Sequence, residues 1–147
     1  YNRTNKKEGM TMLKTKLIHP EIMAALSLCG HGSKVLIADG NYPLAEKSGN
    51  AQKVYLGLCP GTPTVTQVLE AIHSVCEIEK AEVMKTPDGS EPEIYPEFKK
   101  ELPDLDLTVL GQYEFYDACM AENVVQLAIS TGEKRTYANI LLTIGCA

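Results

Sequence analysis

Apolar residues recur along the chain with two different periods. Ile22, Met23, Leu26 and Cys29 fall on one side of a 3.6-residue helix. Pro20 suits the first turn of that helix, Glu21 the positive end of its dipole, and Gly30 its termination. Val35-Leu36-Ile37-Ala38 is instead a continuous apolar run ending at Asp39, the pattern of a buried strand, and Gly40, Asn41 and Pro43 break it into a loop. The stretch from Glu46 to Gln52 is polar and loop-like, and Val54-Tyr55-Leu56 reads as a short strand. Thr64 is placed to cap a helix running to about Cys76, with Val65, Val68, Leu69 and Ile72 on one face. Ile78 to Met84 reads as a third strand, Glu93 to Leu102 as a short helix and Leu105 to Leu110 as a fourth strand. Glu114 to Asn123 is predicted as a helix, Val124 to Ser130 and Asn139 to Ile144 as the last two strands, and Thr131 to Ala138 as the loop between them.

Strands alternating with helices predict an α/β fold, a single layered domain with a central sheet flanked by helices. The length of 147 residues suits one such domain, here expected over residues 10–147. Residues 1–9 are polar and lack an apolar period. They read as a disordered leader or a remnant of the expression vector, with Met10 or Met12 as candidate initiators.

Composition narrows the function classes. The net charge of −5 argues against nucleic acid, since phosphate binding needs clustered Lys and Arg and the main basic cluster is Lys6-Lys7 near Arg3. The five cysteines, Cys29, Cys59, Cys76, Cys119 and Cys146, form an odd count without C-x-x-C spacing. They are expected to be buried or half-buried free thiols in a reducing compartment. No signal peptide is visible and no apolar run is long enough to span a bilayer, so a cytoplasmic protein with no membrane partner is expected.

Three constellations offer chemistry. Gly30-His31-Gly32 is followed by Asp39 at the end of the next strand, an arrangement expected to bring both groups to the same edge of the sheet. Glycines beside His31 leave its imidazole unshielded. Imidazoles exchange protons near neutrality, with an unperturbed pKa of about 6.5. Asp39 would orient that ring or accept a hydroxyl hydrogen bond. The alternative is a histidine at a helix end and an aspartate that forms a turn. Thr131-Gly132-Glu133 leads to Tyr137-Ala138-Asn139, which offers a ring face, a hydroxyl and an amide suited to a sugar, or else a polar turn. Gln112-Tyr113-Glu114-Phe115-Tyr116 lies at a strand–helix corner, with Gln112 at the strand end and Phe115 in the core. His19 is expected at a helix start and His73 in a structural role. The scattered histidines and cysteines do not suggest a metal site.

Taken in order, these segments resemble the RbsD/FucU family of ribose pyranases and fucose mutarotases. The resemblance rests on Ile18-His19-Pro20-Glu21, Leu28-Cys29-Gly30-His31-Gly32, Ile37-Ala38-Asp39-Gly40-Asn41-Tyr42-Pro43 and Gln67-Val68-Leu69. It continues through Phe115-Tyr116, Thr131-Gly132-Glu133 and Tyr137-Ala138-Asn139-Ile140-Leu141-Leu142.

The resemblance implies that His31 is the catalytic histidine, that Asp39 binds sugar, and that Tyr137, Ala138 and Asn139 form the sugar-binding segment. Gln112 stands where the family carries a basic His or Arg, so it keeps hydrogen bonding without the charge. Phe115-Tyr116 leans toward the fucose branch. Also implied are an isomerase that needs neither metal nor organic cofactor, a free monosaccharide as its substrate, and a ring-shaped homodecamer with sites between subunits. A non-catalytic monosaccharide-binding protein associated with sugar uptake is the alternative reading.

Overall fold

The computed structural model describes residues 13–147, so the expected leader over residues 1–9 and both candidate initiator methionines lie outside the described residues. Ten elements follow in order: α1 (Pro20–Ser27), β1 (Lys34–Ala38), β2 (Gln52–Tyr55), α2 (Val65–His73) and β3 (Ile78–Met84), then α3 (Tyr95–Glu101), β4 (Leu107–Leu110), α4 (Gln112–Cys119), β5 (Val125–Ser130) and β6 (Ile140–Ile144). The α/β fold with a central sheet is therefore as expected.

Local chemistry explains where the helices start. The His19 ring Nδ1 accepts from the Ile22 N–H at 3.3 Å and caps α1. Thr64 and Gln67 form a reciprocal capping box on α2, with the Gln67 N–H on Thr64 Oγ1 at 3.1 Å and the Thr64 N–H on Gln67 Oε1 at 2.8 Å. The helix α4 departs from expectation. It begins at Gln112 rather than Glu114 and ends at Cys119, well before Asn123. Its N-cap is Gly111, which has no side chain to signal the boundary. The strand β4 starts at Leu107 rather than Leu105, because the Leu105 N–H closes a turn on the Leu102 carbonyl.

The six strands are ordered β2-β5-β1-β6-β3-β4. β1 runs parallel to β5, and β2 parallel to β5. β6 runs antiparallel to both β1 and β3, and β4 follows β3 in parallel. All strands except β6 therefore point the same way, and their carboxyl ends gather on one edge.

Alternation along β1 divides the core in two. Val35 and Ile37 join Ile22, Leu26, Val68, Leu69, Ile72 and Phe98 under α1, α2 and α3. Leu36 and Ala38 face the other way, against Phe115 and Cys119 of α4 and against Tyr42 and Leu44 of the loop after β1. A strand covered on both faces reads as an unbroken apolar run, as β1 does.

All five cysteines are free, but Cys59 and Cys146 are exposed rather than buried or half-buried. Burial pushes the Cys119 thiol up to about 12, as fits a small packing residue. His73 Nδ1 donates to Glu101 Oε2 at 2.6 Å and so ties α2 to α3, the expected structural role.

One ionic network pins the loop between β5 and β6. Arg135 Nε donates to Glu133 Oε2 at 2.9 Å, and its terminal nitrogens reach Glu97 of α3. Thr66 of α2 donates to the same Glu97, and Glu133 Oε1 accepts from the Val65 N–H at 3.2 Å. Burial works to raise the Glu133 carboxyl. The Arg135 guanidinium, the Arg135 N–H and the Val65 N–H outweigh it and hold the group below its ordinary value. Hydrogen bonds from Arg135 and Thr66 lower Glu97 as well.

A carboxyl lowered by folding contributes stability that is complete above its unfolded pKa and is lost as pH falls through its folded pKa. Arg135→Ala is expected to cost about 3 kcal/mol in urea unfolding at neutral pH, because buried Glu133 loses its counter-charge. The variant is also expected to show a shallower loss of stability below the ordinary carboxylate range.

Candidate functional site

The edge where the strands end holds a polar pocket of about 190 Å³, below the roughly 300–1,000 Å³ of drug-sized ligand sites. Its walls come from Asp39 after β1, Gln112 and Tyr116 of α4, and Tyr137 and Asn139 before β6. A crevice outside the carboxyl ends of strands is where open α/β sheets bind ligands.

Asp39 is buried, and both its oxygens are engaged. Oδ1 accepts from the Asn41 N–H at 2.9 Å, and Oδ2 from the Ala138 N–H at 3.1 Å. Its own N–H donates to Asn139 Oδ1 at 2.8 Å. Burial pushes the Asp39 carboxyl up, and the negative charge of Glu133 adds to the rise. The N–H groups of Ala138 and Asn41 pull it back only in part.

The bond to Asn139 also settles that amide's orientation. A backbone N–H requires the oxygen, so the amide nitrogen with its two donors is turned away from the Asp39 backbone. Each carboxylate oxygen of Asp39 keeps acceptor capacity beyond the one backbone bond it makes.

Tyr137 sits at φ 56°, a left-handed conformation uncommon for a bulky residue. It immediately precedes the peptide N–H that Ala138 gives to Asp39. Ala138 is fully buried with that N–H committed, so it serves the pocket through Asp39. Gln112, expected at a strand end, is instead the first residue of α4. Its amide nitrogen donates to the Tyr116 hydroxyl at 3.2 Å. The Tyr116 ring meets Tyr42 edge-on at 5.5 Å, with Lys47 Nζ 5.5 Å from its centre.

His31 is not in this pocket, and the expectation that it shares a sheet edge with Asp39 is wrong within one chain. The Gly32 N–H donates to the carbonyl of Ile144, the last residue of β6, which places His31 at the opposite edge. The whole of β1 lies between the two groups, and five residues of strand span roughly 17 Å. At its own edge His31 is more than half exposed, and its Nε2 lies 2.9 and 3.0 Å from the two carboxylate oxygens of Glu79. The sequence pattern does not single out Glu79. Tyr42 and Tyr116 carry part of the resemblance, but no role follows for them from the sequence. Among the described residues, no group of three or more His, Cys, Asp or Glu side chains is placed to hold a metal ion. No helix among them is long and apolar enough to cross a membrane.

The Asp39–Asn139 pairing yields a stability prediction. Asn139→Ala leaves the buried Asp39 N–H without its acceptor, and is expected to cost about 1–3 kcal/mol by urea denaturation with the m-value unchanged. A midpoint equal to that of the parent protein would count against this bond as the clamp of the pocket.

Comparison with known proteins agrees with this architecture. Residues 12–147 match the RbsD / FucU transport protein family. A D-ribose pyranase from Geobacillus thermodenitrificans is 30% identical over 137 residues, covering 91% of this chain and 97% of that protein. Another, from Clostridium botulinum, is 28% identical over 134 residues, with 91% and 98% covered. Among solved structures, Bacillus subtilis RbsD complexed with D-ribose superposes with a TM-score of 0.80 at 24% identity, over 92% of this chain and 99% of that one. The fucose mutarotase of Streptococcus pneumoniae in complex with L-fucose gives 0.75 at 24% identity, over 88% and 94%. With a family match extending to its last residue and the same α/β fold around its polar edge, this chain belongs to the RbsD / FucU transport protein family.

Proposed function

We propose that this protein interconverts the ring forms of a free monosaccharide, with D-ribose and L-fucose as the first candidates. The observation that carries the reading is the polar pocket at the strand ends, where Asp39, Asn139, Tyr137 and Gln112 converge in a volume of about 190 Å³. Relatives named D-ribose pyranase, aligned over nine-tenths of the chain, support the reaction class. The curated relatives quoted above favour ribose, whereas Phe115-Tyr116 leans toward fucose.

Opening a cyclic hemiacetal removes the anomeric O–H proton and delivers one to the ring oxygen as the ring C–O bond breaks. The open carbonyl form then recloses on its other face or through another hydroxyl. Atoms and electrons balance with proton transfer alone, so the scheme calls on no cofactor.

In this reading Asp39 accepts from a sugar hydroxyl, and the Asn139 amide nitrogen donates to another. Tyr137 supplies a ring face and a hydroxyl, and Gln112 a neutral amide in place of a cation. His31 moves the proton. A placed general acid–base group is worth about 10²–10⁴-fold in rate. Because His31 and Asp39 lie at opposite ends of β1, the imidazole that serves each pocket belongs to another copy of the chain. The assembly is then the homo-oligomer, a ring-shaped decamer, that the family resemblance implies. Exposed Leu28, three residues before His31, gives that edge an apolar contact for a neighbour.

Saturation-transfer NMR on D-ribose and L-fucose tests the proposal and reports which ring forms exchange. The parent protein is expected to accelerate exchange, His31→Ala to return it to the spontaneous rate, and Asp39→Asn to weaken sugar binding. Full exchange in His31→Ala would remove the imidazole from the mechanism. Saturable sugar binding without any exchange by the parent protein would favour the non-catalytic binding protein, a reading that the neutral Gln112 keeps open.

A further inference from the structure

We infer that Glu79 is a positioning residue that fixes the tautomer and orientation of His31, an inference that rests on the reading of His31 as the proton-transfer group. Two independent features of the backbone bring the pair together.

The first is a bulge in β3. Ile78 pairs with Ile144 and Lys80 with Thr143, so Glu79 is an extra residue with no counterpart on β6. Burial shows the same slip. Ile78 and Ala81 enter the same core cluster although they are three apart, which strict alternation forbids. Glu79 and Lys80 are both left exposed between them. The bulge thus re-aims one carboxylate at the strand's start. Gly145 passes close beside it, where an added Cβ would lie 3.2 Å from Glu79 Cβ.

The second feature is the turn that carries His31. Its Gly32 N–H donates to the Ile144 carbonyl at 2.9 Å, and the Ile144 N–H returns a bond to the Ser33 carbonyl at 2.8 Å. Gly30 donates to Ser33 Oγ at 3.0 Å. Gly32 has φ +90°, a conformation that favours glycine. The imidazole therefore hangs from a turn pinned to the end of β6, directly across from the β3 bulge.

An ionised carboxylate only accepts hydrogen bonds. With both Glu79 oxygens within 3.0 Å, Nε2 must carry the proton. In the neutral ring the free lone pair is then on Nδ1, and Nδ1 is the atom that takes the sugar proton. The same carboxylate stabilises the imidazolium formed by that transfer, as an orienting acid does in other His-based sites. A solvent-exposed pair contributes little to folding, so its role can be separated from stability.

The test joins ¹⁵N NMR of the imidazole with the exchange kinetics. Glu79→Ala is expected to abolish the preference for the Nε2–H tautomer and to lower kcat about tenfold, with KM and the unfolding midpoint unchanged. Glu79→Gln, whose amide oxygen accepts the same proton, is expected to recover the tautomer and part of kcat. Adding Glu79→Ala to His31→Ala should cause no further loss. An unchanged tautomer ratio and kcat in Glu79→Ala, with His31→Ala inactive, would overturn the Glu79 role alone. Full exchange in His31→Ala would overturn both readings.

Discussion

The buried carboxylate of Asp39 holds the upper edge of this sheet together. It draws the peptide N–H groups of Asn41 and Ala138 onto its two oxygens, while Asn139 accepts the N–H of Asp39 itself. These crossed bonds join the end of β1 to the start of its antiparallel neighbour β6. They also hold Tyr137 in a conformation its side chain disfavours. A carboxylate is costly to bury, and only its full set of donors makes the site tolerable. The same group that locks the loops keeps acceptor capacity for a hydroxyl, so in the proposed reading the scaffold and the recognition element coincide.

The opposite edge is organised by a different device. There His31 and Glu79 are exposed and paired with each other, and Gly30 and Gly32 leave open space on either side of His31. Neither edge completes an acid–base site. The rigid length of β1 keeps them apart, and no side-chain motion spans a strand of roughly 17 Å. In the proposed reading, symmetric association removes the difficulty, because the His31 edge of one copy meets the Asp39 edge of the next. The reading then makes catalysis conditional on assembly, with the separated chain a binding module.

Much of this was legible in the residues. The apolar run of β1, the Thr64–Gln67 cap and the amphipathic stripe of α2 each state their element locally. Asp39, Tyr137 and Asn139 stand out as polar residues in or beside predicted loops, and it is the family resemblance that gives them sugar-binding roles. What failed was non-local. Spacing along the chain suggests that His31 and Asp39 share an edge, but a strand has two ends, and Lys34–Ala38 between them is all strand. Gln112 reads as a strand end, although it opens α4, because Gly111 caps that helix with no side chain to announce it. Glu79 does not stand out because a bulge has no residue signature, and in sequence it is one of two adjacent charged residues between Ile78 and Ala81. The clamp made by Arg135 joins segments more than thirty positions apart, and so it is visible only once α3 has packed.

The claim that one catalytic unit draws its imidazole and its carboxylate from different chains can be tested by complementation. His31→Ala and Asp39→Asn chains carrying different tags would be produced together, and assemblies holding both isolated by sequential affinity steps. Random pairing in equal amounts regenerates intact sites at about a quarter of the neighbour contacts. The account therefore predicts that, at a sugar concentration where Asp39→Asn alone shows little exchange, the mixed assemblies recover about that share of the parent rate by NMR. Mixed assemblies that stay at the spontaneous rate would contradict it.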